Sequence, residues 1–341
     1  MSAPRRSPPR TQPMAVVGAG SWGTALAIQL AREGRPTFLW GRDAASMEDL
    51  RRTRRNARYL PQAAFPEALI VEPDLGEALR AAQDILVAVP SQGFRATLAM
   101  LEPHLGEASR VAWATKGFEV ESGLLPHEVA AQVLGNRPGA VLSGPTFARE
   151  VAAGVPTAMT VASRDERFAA ELARSLSGPR FRTYTQTDIV GVEVGGAVKN
   201  VIAIGCGMAD GLQYGANTRV ALITRGLAEM MRLGVKLGAA RETFMGLAGL
   251  GDLVLTCTDG QSRNRRFGVA LGHGRSAQEA AGDIDQVVEG VQAAHAVHEV
   301  AARLHVEMPI CREIYRVLYE GRDIREAALA LMGREMRSEQ E

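Results

Sequence analysis

Two lysines set in unusual company are the residues best suited to chemistry in this chain. Lys116 sits in Thr115-Lys116-Gly117, directly after the apolar run Val-Ala-Trp-Ala at 111–114. Lys199 lies in Gly195-Gly196-Ala197-Val198-Lys199-Asn200-Val201, where a Lys and an Asn among glycines and apolar residues are costly unless paired. A lysine desolvated beside apolar or cationic groups becomes a proton donor or acceptor near neutral pH. Such a group suits the oxygen of a carbonyl or alcohol exchanging hydride with a nicotinamide. The competing structural readings are a solvated surface charge for Lys116 and neutralisation by a core carboxylate for Lys199. A third constellation is Gly249-Leu250-Gly251-Asp252 followed by Ser262-Arg263-Asn264-Arg265-Arg266. Three arginines with an interposed Asn suit a phosphate or carboxylate, although such runs are more often a solvated helix face.

A glycine turn near the start supplies the other half of that chemistry. The strand Ala-Val-Val runs into Gly18-Ala19-Gly20-Ser21-Trp22-Gly23, a G-x-G-x-x-G that opens a helix. Gly18 permits the tight turn, Gly20 lets the backbone approach a pyrophosphate, and Gly23 lets helix pack on strand. The N–H groups and positive end of the helix then hold the phosphates. Cofactor choice is read at the end of the second strand, Trp40-Gly41-Arg42-Asp43. Gly41 stands where an NAD-selective site carries an acid, and Arg42 can pair with a 2′-phosphate. Asp43, one or two positions late, competes. The cofactor expected is NADPH or NADH, with NADPH favoured.

Elements that would position these groups follow from the apolar patterning. Strands are expected at Met14–Val17, 36–40, 85–89, 111–114 and 140–142, with helices at 21–33, 77–82 and 94–101. The run Ile-Leu-Val-Ala-Val at 85–89 reads as a central parallel strand buried on both faces. Strand–helix alternation of this kind means βαβ units and a doubly wound sheet of Rossmann type. After Asp188 the alternation stops and apolar residues recur at three and four, as at Val220, Ile223, Leu227 and Met230. The expected organisation is a tail at 1–13, a dinucleotide-binding domain at 14–187, and an all-helical substrate-binding domain at 188–341. The tail, rich in Pro and Arg, lacks the apolar core of a secretory signal. The last stretch, 334–341, is charged and expected to fray.

Composition narrows the classes. With 341 residues there is room for two cores, and 39 basic against 38 acidic residues give a net charge of +1. That balance points to neither a nucleic-acid nor a membrane surface. The most apolar run, at 201–208, falls short of the roughly 20 residues of a membrane span. A chain in the cytoplasm with no membrane insertion is therefore expected. Cys206, Cys257 and Cys311 lie far apart and read as small buried hydrophobes. The six histidines fall in no metal-ligand spacing, so no metal is expected.

Along almost its whole length the sequence resembles the bacterial-type NAD(P)-dependent glycerol-3-phosphate dehydrogenases. The motifs carrying the likeness are GAGSWGTALA from Gly18, VPS from Val89, ATKG from Ala114 and SGPTFARE from Ser143. They continue with GGAVKNVIAIGCGMADG from Gly195, GLGDLVLTC from Gly249, SRNRRFG from Ser262 and VVEG from Val287. The resemblance implies reversible NAD(P)H-dependent reduction of dihydroxyacetone phosphate to sn-glycerol 3-phosphate, which supplies the glycerophospholipid backbone. It implies Lys199 as the proton acceptor in alcohol oxidation and the donor in reduction. It places Lys116, Gly144, Thr146, Lys199, Asp252, Ser262, Arg263 and Asn264 at the substrate. It adds Ser21, Trp22, Arg42, Lys116, Ala148, Arg263, Val287 and Glu289 to the glycines as cofactor contacts, and it implies a homodimer. One departure is Pro90-Ser91-Gln92-Gly93-Phe94, where the family often has His in place of Gln92. The competing enzyme reading is a 3-hydroxyacid or phosphogluconate-type dehydrogenase, with a carboxylate pocket in place of a phosphate one. A non-catalytic NAD(P)H-binding redox sensor is the alternative from a different class.

Overall fold

The computed structural model of the protein describes residues 12–282, 284 and 287–335. The expected tail, apart from Gln12 and Pro13, and most of the expected frayed end lie outside the described residues. The chain divides into two compact units, one running to Thr115 and resuming at His127–Ile189, the other formed by Lys116–Pro126 and Val190–Glu341. The segment from Lys116 to Pro126 falls inside the stretch 14–187 expected for the first domain, yet its contacts belong to the second unit.

The first unit alternates strand and helix. It begins β1 (Met14–Val17), α1 (Ser21–Arg32), β2 (Thr37–Trp40), α2 (Ala44–Thr53), β3 (Leu69–Val71), α3 (Leu75–Arg80) and β4 (Asp84–Val87). It continues α4 (Phe94–Leu101), β5 (Arg110–Trp113), α5 (Pro126–Leu134), β6 (Gly139–Ser143), α6 (Ala148–Ala153), β7 (Thr157–Ala162), α7 (Glu166–Leu176) and β8 (Phe181–Gln186). All eight strands form one sheet in the order β3-β2-β1-β4-β5-β6-β7-β8. Residues of β1 and β4 are buried throughout, the apolar ones as strands covered on both faces require. The chain reverses its direction of travel across the sheet between β1 and β4, which makes their carboxyl ends the switch point where ligands bind in such sheets. At the other end, Asp84 begins β4 and is gripped by Arg35 at 2.6 Å and by Arg110 at 2.7 Å. With both Arg35 and Asp84 buried, that pairing locks the strand starts together.

The sheet departs from the sequence reading in three strands. β3, β7 and β8 add to the expected set, and β7 runs antiparallel to β6 where only parallel pairs are expected. Each has a physical reason for being hard to read. β3 is only three residues long, and β7 carries Met159 and Val161 as its sole large apolar residues. β8, at the edge of the sheet, exposes Arg182, Tyr184 and Thr185.

Among its described residues the second unit is helical. Its helices are α8 (Ile189–Gly211), α9 (Gly215–Lys236), α10 (Asp252–Thr258), α11 (Arg263–Gly272), α12 (Ala277–Gly282), α13 (Glu289–Arg303), α14 (Pro309–Tyr319) and α15 (Ile324–Met332). α8 corrects the expectation that no segment is long enough to cross a membrane. It has 23 residues, and by length and composition alone it qualifies. However, 94% of its apolar window is buried inside the protein, and Val198, Val201, Ile202 and Ile204 form the centre of this unit's core. The apolar character of α8 is that of a helix surrounded by other helices.

Candidate active site

The two lysines singled out by sequence meet on one carboxylate in the second unit. Asp252, with 1% of its side chain exposed, receives Lys199 Nζ on Oδ1 at 2.5 Å and Lys116 Nζ on Oδ2 at 2.6 Å. Lys199 Nζ also donates to Thr256 Oγ1 at 3.0 Å, and that hydroxyl donates back to the Asp252 carbonyl at 2.6 Å. Burial lowers the Lys199 pKa from its ordinary 10.5 to about 8; Asp252 raises it in part, and Lys116 pushes it down again. Burial alone would raise the Asp252 carboxyl, but Lys116 and Lys199 outweigh it and hold the group below its usual value. Two positive charges and one negative leave the cluster with a net positive charge at neutral pH. A lysine neutralised by a core carboxylate and a lysine of reduced basicity stand as alternatives in the sequence. In this geometry both descriptions apply to Lys199.

Close helix contact assembles the cluster. A Cβ at Gly195 on α8 would lie 2.4 Å from the Ala248 carbonyl, so the turn that delivers Asp252 can seat only on glycine. Further along, Gly207 of α8 and Gly268 of α11 face one another, each leaving room for the other helix's backbone. That contact brings the start of α11 beside Asn200. Ser262 caps α11 by accepting from Arg265 N at 3.2 Å. Asn264 is buried and donates to Asn200 Oδ1 at 2.9 Å, while Gly290 N donates to Asn264 Oδ1 at 2.9 Å. The three arginines do not share one face. Arg265 is committed to Asp210 at 2.6 Å, Arg263 donates to the Val287 carbonyl at 3.0 Å, and Arg266 is exposed. The ion pair with Asp210 takes Arg265 out of any clamp.

The first unit carries the glycine turn. Gly18 has φ +118°, and a Cβ there would meet the Ala88 carbonyl at 2.5 Å. A Cβ on Gly23 would strike the Gly18 carbonyl, whereas among the described residues, its chain neighbours and adjoining helix backbone apart, none lies within 4 Å of one on Gly20. Gly20 stands at the N-terminus of α1 and, having no side chain, supplies no side-chain cap. Trp22 Nε1 is buried without a hydrogen-bond partner among the described residues. Ala148 begins α6, and Gly144 and Thr146 follow β6, with Thr146 Oγ1 donating to the Gly144 carbonyl at 3.2 Å. At the end of β2, a Cβ on Gly41 would lie 2.8 Å from Ala19 Cβ and 3.0 Å from Met47 Sδ. Asp43 accepts from Ser46 N at 2.6 Å as the cap of α2, and Arg42 is exposed.

Sequence reasoning missed two supporting residues. Thr256 lies four residues after Asp252, one helical turn on, which was the available signal. Asn56, buried, donates to the Ala19 carbonyl at 3.1 Å and to Thr24 Oγ1 at 2.9 Å, bracing the glycine turn. It is 37 residues from Ala19, and no local pattern reveals it.

Comparison with known proteins places these features in a family. The N-terminal profile of NAD-dependent glycerol-3-phosphate dehydrogenase matches residues 13–169, and the C-terminal profile matches 188–329. A protein of Tolumonas auensis named glycerol-3-phosphate dehydrogenase (NAD(P)+) is 54% identical over 96% of this chain and 98% of its own length. One of the same name from Idiomarina loihiensis is 56% identical over 97% of this chain and 100% of its own. The crystal structure of glycerol-3-phosphate dehydrogenase from Coxiella burnetii superposes with a TM-score of 0.92 at 47% identity, over 95% of this chain and 99% of that one.

The charge cluster predicts a titration that needs no substrate. Observed by NMR on 13C-labelled lysine, Lys199 is expected to titrate near 8. Asp252→Asn removes the group that raises this pKa and lowers the midpoint, whereas Lys116→Ala raises it. A wild-type midpoint at the ordinary 10.5 contradicts the assignment. Between about 8 and 10.5 the unfolded chain holds this proton and the folded chain does not, so the group's contribution to stability rises with pH across that window.

Proposed function

The chain belongs to the NAD-dependent glycerol-3-phosphate dehydrogenase family, and from that premise we propose which residues of each unit perform its reaction. The reaction is the reversible reduction of dihydroxyacetone phosphate to sn-glycerol 3-phosphate with NADH or NADPH. Its product supplies the backbone of glycerophospholipids. The observation that carries the proposal is the buried amine of Lys199, of lowered basicity, held against Asp252 and Thr256.

An ammonium has three protons to donate. Asp252 and Thr256 take two from Lys199, which leaves the third for the substrate's carbonyl oxygen. In the reductive direction Lys199 gives up that proton as negative charge develops on the oxygen. In the oxidative direction the neutral amine accepts the hydroxyl proton. The bound reduced nicotinamide supplies the hydride. Lys116 and Asp252 set the basicity of Lys199, and the net positive charge of the cluster, with Arg263, favours a dianionic phosphate. The resemblance adds Ser262 and Asn264 to this part of the substrate site. The assignment of Gly144 and Thr146 to substrate rests on the resemblance alone. So does that of Lys116, Arg263, Val287, Glu289 and Ala148 to the cofactor.

For the first unit we propose that residues 18–23 hold the pyrophosphate, supported by the open space beyond Gly20 at the start of α1 and the positive φ of Gly18 in the tight turn. Ser21 and the unpartnered Trp22 Nε1 are the further contacts. NADPH is the favoured cofactor. Gly41 has no room for the acid that would bind a 2′-hydroxyl, Asp43 is occupied as a helix cap, and Arg42 is exposed. We also propose a cytoplasmic homodimer. An open apolar groove of about 1630 Å³ runs along α9, α14 and α15 in the second unit, beside Leu329 and Met332, which are 71% and 84% exposed. Cell fractionation reads the location.

Initial rates test the reaction. NADPH is expected to be consumed with dihydroxyacetone phosphate and not with ketones derived from hydroxyacids; the reverse result favours the hydroxyacid reading. Lys199→Ala is expected to lower kcat by roughly 10²–10⁴-fold with NADPH binding retained, and full turnover removes Lys199 from the mechanism. The reductive rate falls, and the oxidative rate rises, as pH passes through about 8. Arg42→Ala is expected to cut the NADPH-over-NADH preference about tenfold or more, the scale of one charge-assisted hydrogen bond. An unchanged preference refutes its role. Sedimentation of the Leu329→Glu/Met332→Glu double variant as a monomer, with a dimeric parent, supports the groove as the pairing face. An unchanged dimer excludes it.

A further inference from the structure

We propose that Asn264 is a positioning residue, which fixes the Asn200 side chain so that its amide nitrogen is presented as a donor to an oxygen of the phosphorylated substrate. This rests on the reading above that the second unit holds dihydroxyacetone phosphate. It changes the part that Asn264 plays there, and it adds Asn200 to the substrate site.

Polarity sets the direction of both amides. The oxygen and nitrogen of an asparagine amide have nearly the same shape, so a buried asparagine acquires a direction only from a partner of fixed character. Here that partner is the Gly290 backbone N–H, which can only donate. It donates to Asn264 at 2.9 Å, and the atom it meets must be Oδ1. The other end of Asn264 is therefore Nδ2, a donor, and it lies 2.9 Å from Asn200. Asn200 must turn its own oxygen to meet it. Its nitrogen is left at the free end, one residue along α8 from Lys199. Reversing Asn200 would set nitrogen against nitrogen.

Burial makes the order hold. Asn200 is 4% exposed and Asn264 7%. The relay has no slack, because a Cβ at Gly290 would lie 2.7 Å from the Asn200 carbonyl and 2.8 Å from Asn264 Oδ1. Among the described residues the Asn200 amide takes Asn264 alone as a hydrogen-bond partner, so its two N–H donors are left for another acceptor. A ligand oxygen that meets this nitrogen gains a hydrogen bond of fixed direction. The substrate carries many oxygens and the site is rich in donors. A fixed N–H direction at Asn200 therefore selects against ligands that would present a donor at that point.

A double-mutant cycle on the full-length enzyme separates positioning from direct contact. Asn264→Asp keeps an acceptor for Gly290 but replaces the amide nitrogen by oxygen, which forces Asn200 to reverse. Asn264→Ala carries no charge and leaves Asn200 free to turn. In the otherwise unchanged enzyme, Asn264→Asp is expected to raise the KM for dihydroxyacetone phosphate tenfold or more, and Asn264→Ala severalfold. The KM for NADPH should stay within twofold in both. With Asn200→Ala already in place, each Asn264 substitution is expected to change the KM for dihydroxyacetone phosphate by less than twofold. Equal effects in both backgrounds mean that Asn264 touches the substrate itself, and the proposal fails. It also fails if Asn200→Ala leaves that KM unchanged, or if NADPH and substrate binding weaken together. Should the unmodified enzyme not turn over dihydroxyacetone phosphate, it is the underlying functional reading that falls.

Discussion

The chemistry of the second unit depends on one buried carboxylate. Two ammonium groups brought into a shared buried site repel each other and lose their hydration, and without a counter-charge one of them would shed its proton. Asp252 lies between Lys116 and Lys199, accepts from both, and is itself kept ionised by them. The result is a mutual arrangement rather than a set of separate pairs. Burial lowers the basicity of Lys199, Asp252 limits that loss, and Lys116 lowers it again. An amine near 8 at neutral pH is mostly protonated yet gives up its proton readily. An isolated exposed lysine would hold its proton more tightly, and a lysine buried without Asp252 would hold it less well than Lys199 does.

Backbone contact makes this possible. Charged side chains can converge in a core only if the elements bearing them approach closely. Gly195 admits the turn before Asp252, and Gly207 with Gly268 admits the start of α11. The long α8 consequently serves as both the apolar centre of the unit and the platform for Lys199 and Asn200. The same principle recurs in the sheet. Gly18 and Gly23 exist where carbonyl oxygens leave no space for a side chain, while Gly20 faces open space on the protein side.

Much of the first unit was legible in sequence because it depends on short-range pattern. Apolar runs marked β1, β4, β5 and β6, and the glycine spacing marked the turn. β7 and β8 were not legible, since their stability comes from pairing along a full six-residue register rather than from a strongly apolar sequence. The apolar length of α8 was underread for a related reason. Lys199 and Asn200 interrupt its hydropathy, and neighbours distant in sequence supply their partners. In the arginine run, residue type suggested one charged face. Asp210, more than fifty positions away, takes Arg265 out of it.

By itself the sequence determined the family, the alternation of strand and helix, and the residue types able to donate protons and hold phosphates. Those properties reside in local order, such as a glycine turn between strand and helix or a lysine among apolar neighbours. Only the tertiary structure decided which charges meet. It paired Lys116 and Lys199 through Asp252, turned Asp43 into a helix cap, left Gly41 no room for an acid, and ordered the amides of Asn264 and Asn200. The physical reason is range. Apolar periodicity is written within a few residues, whereas the strength of a buried charge or amide depends on partners that folding brings from 26 to 136 positions away.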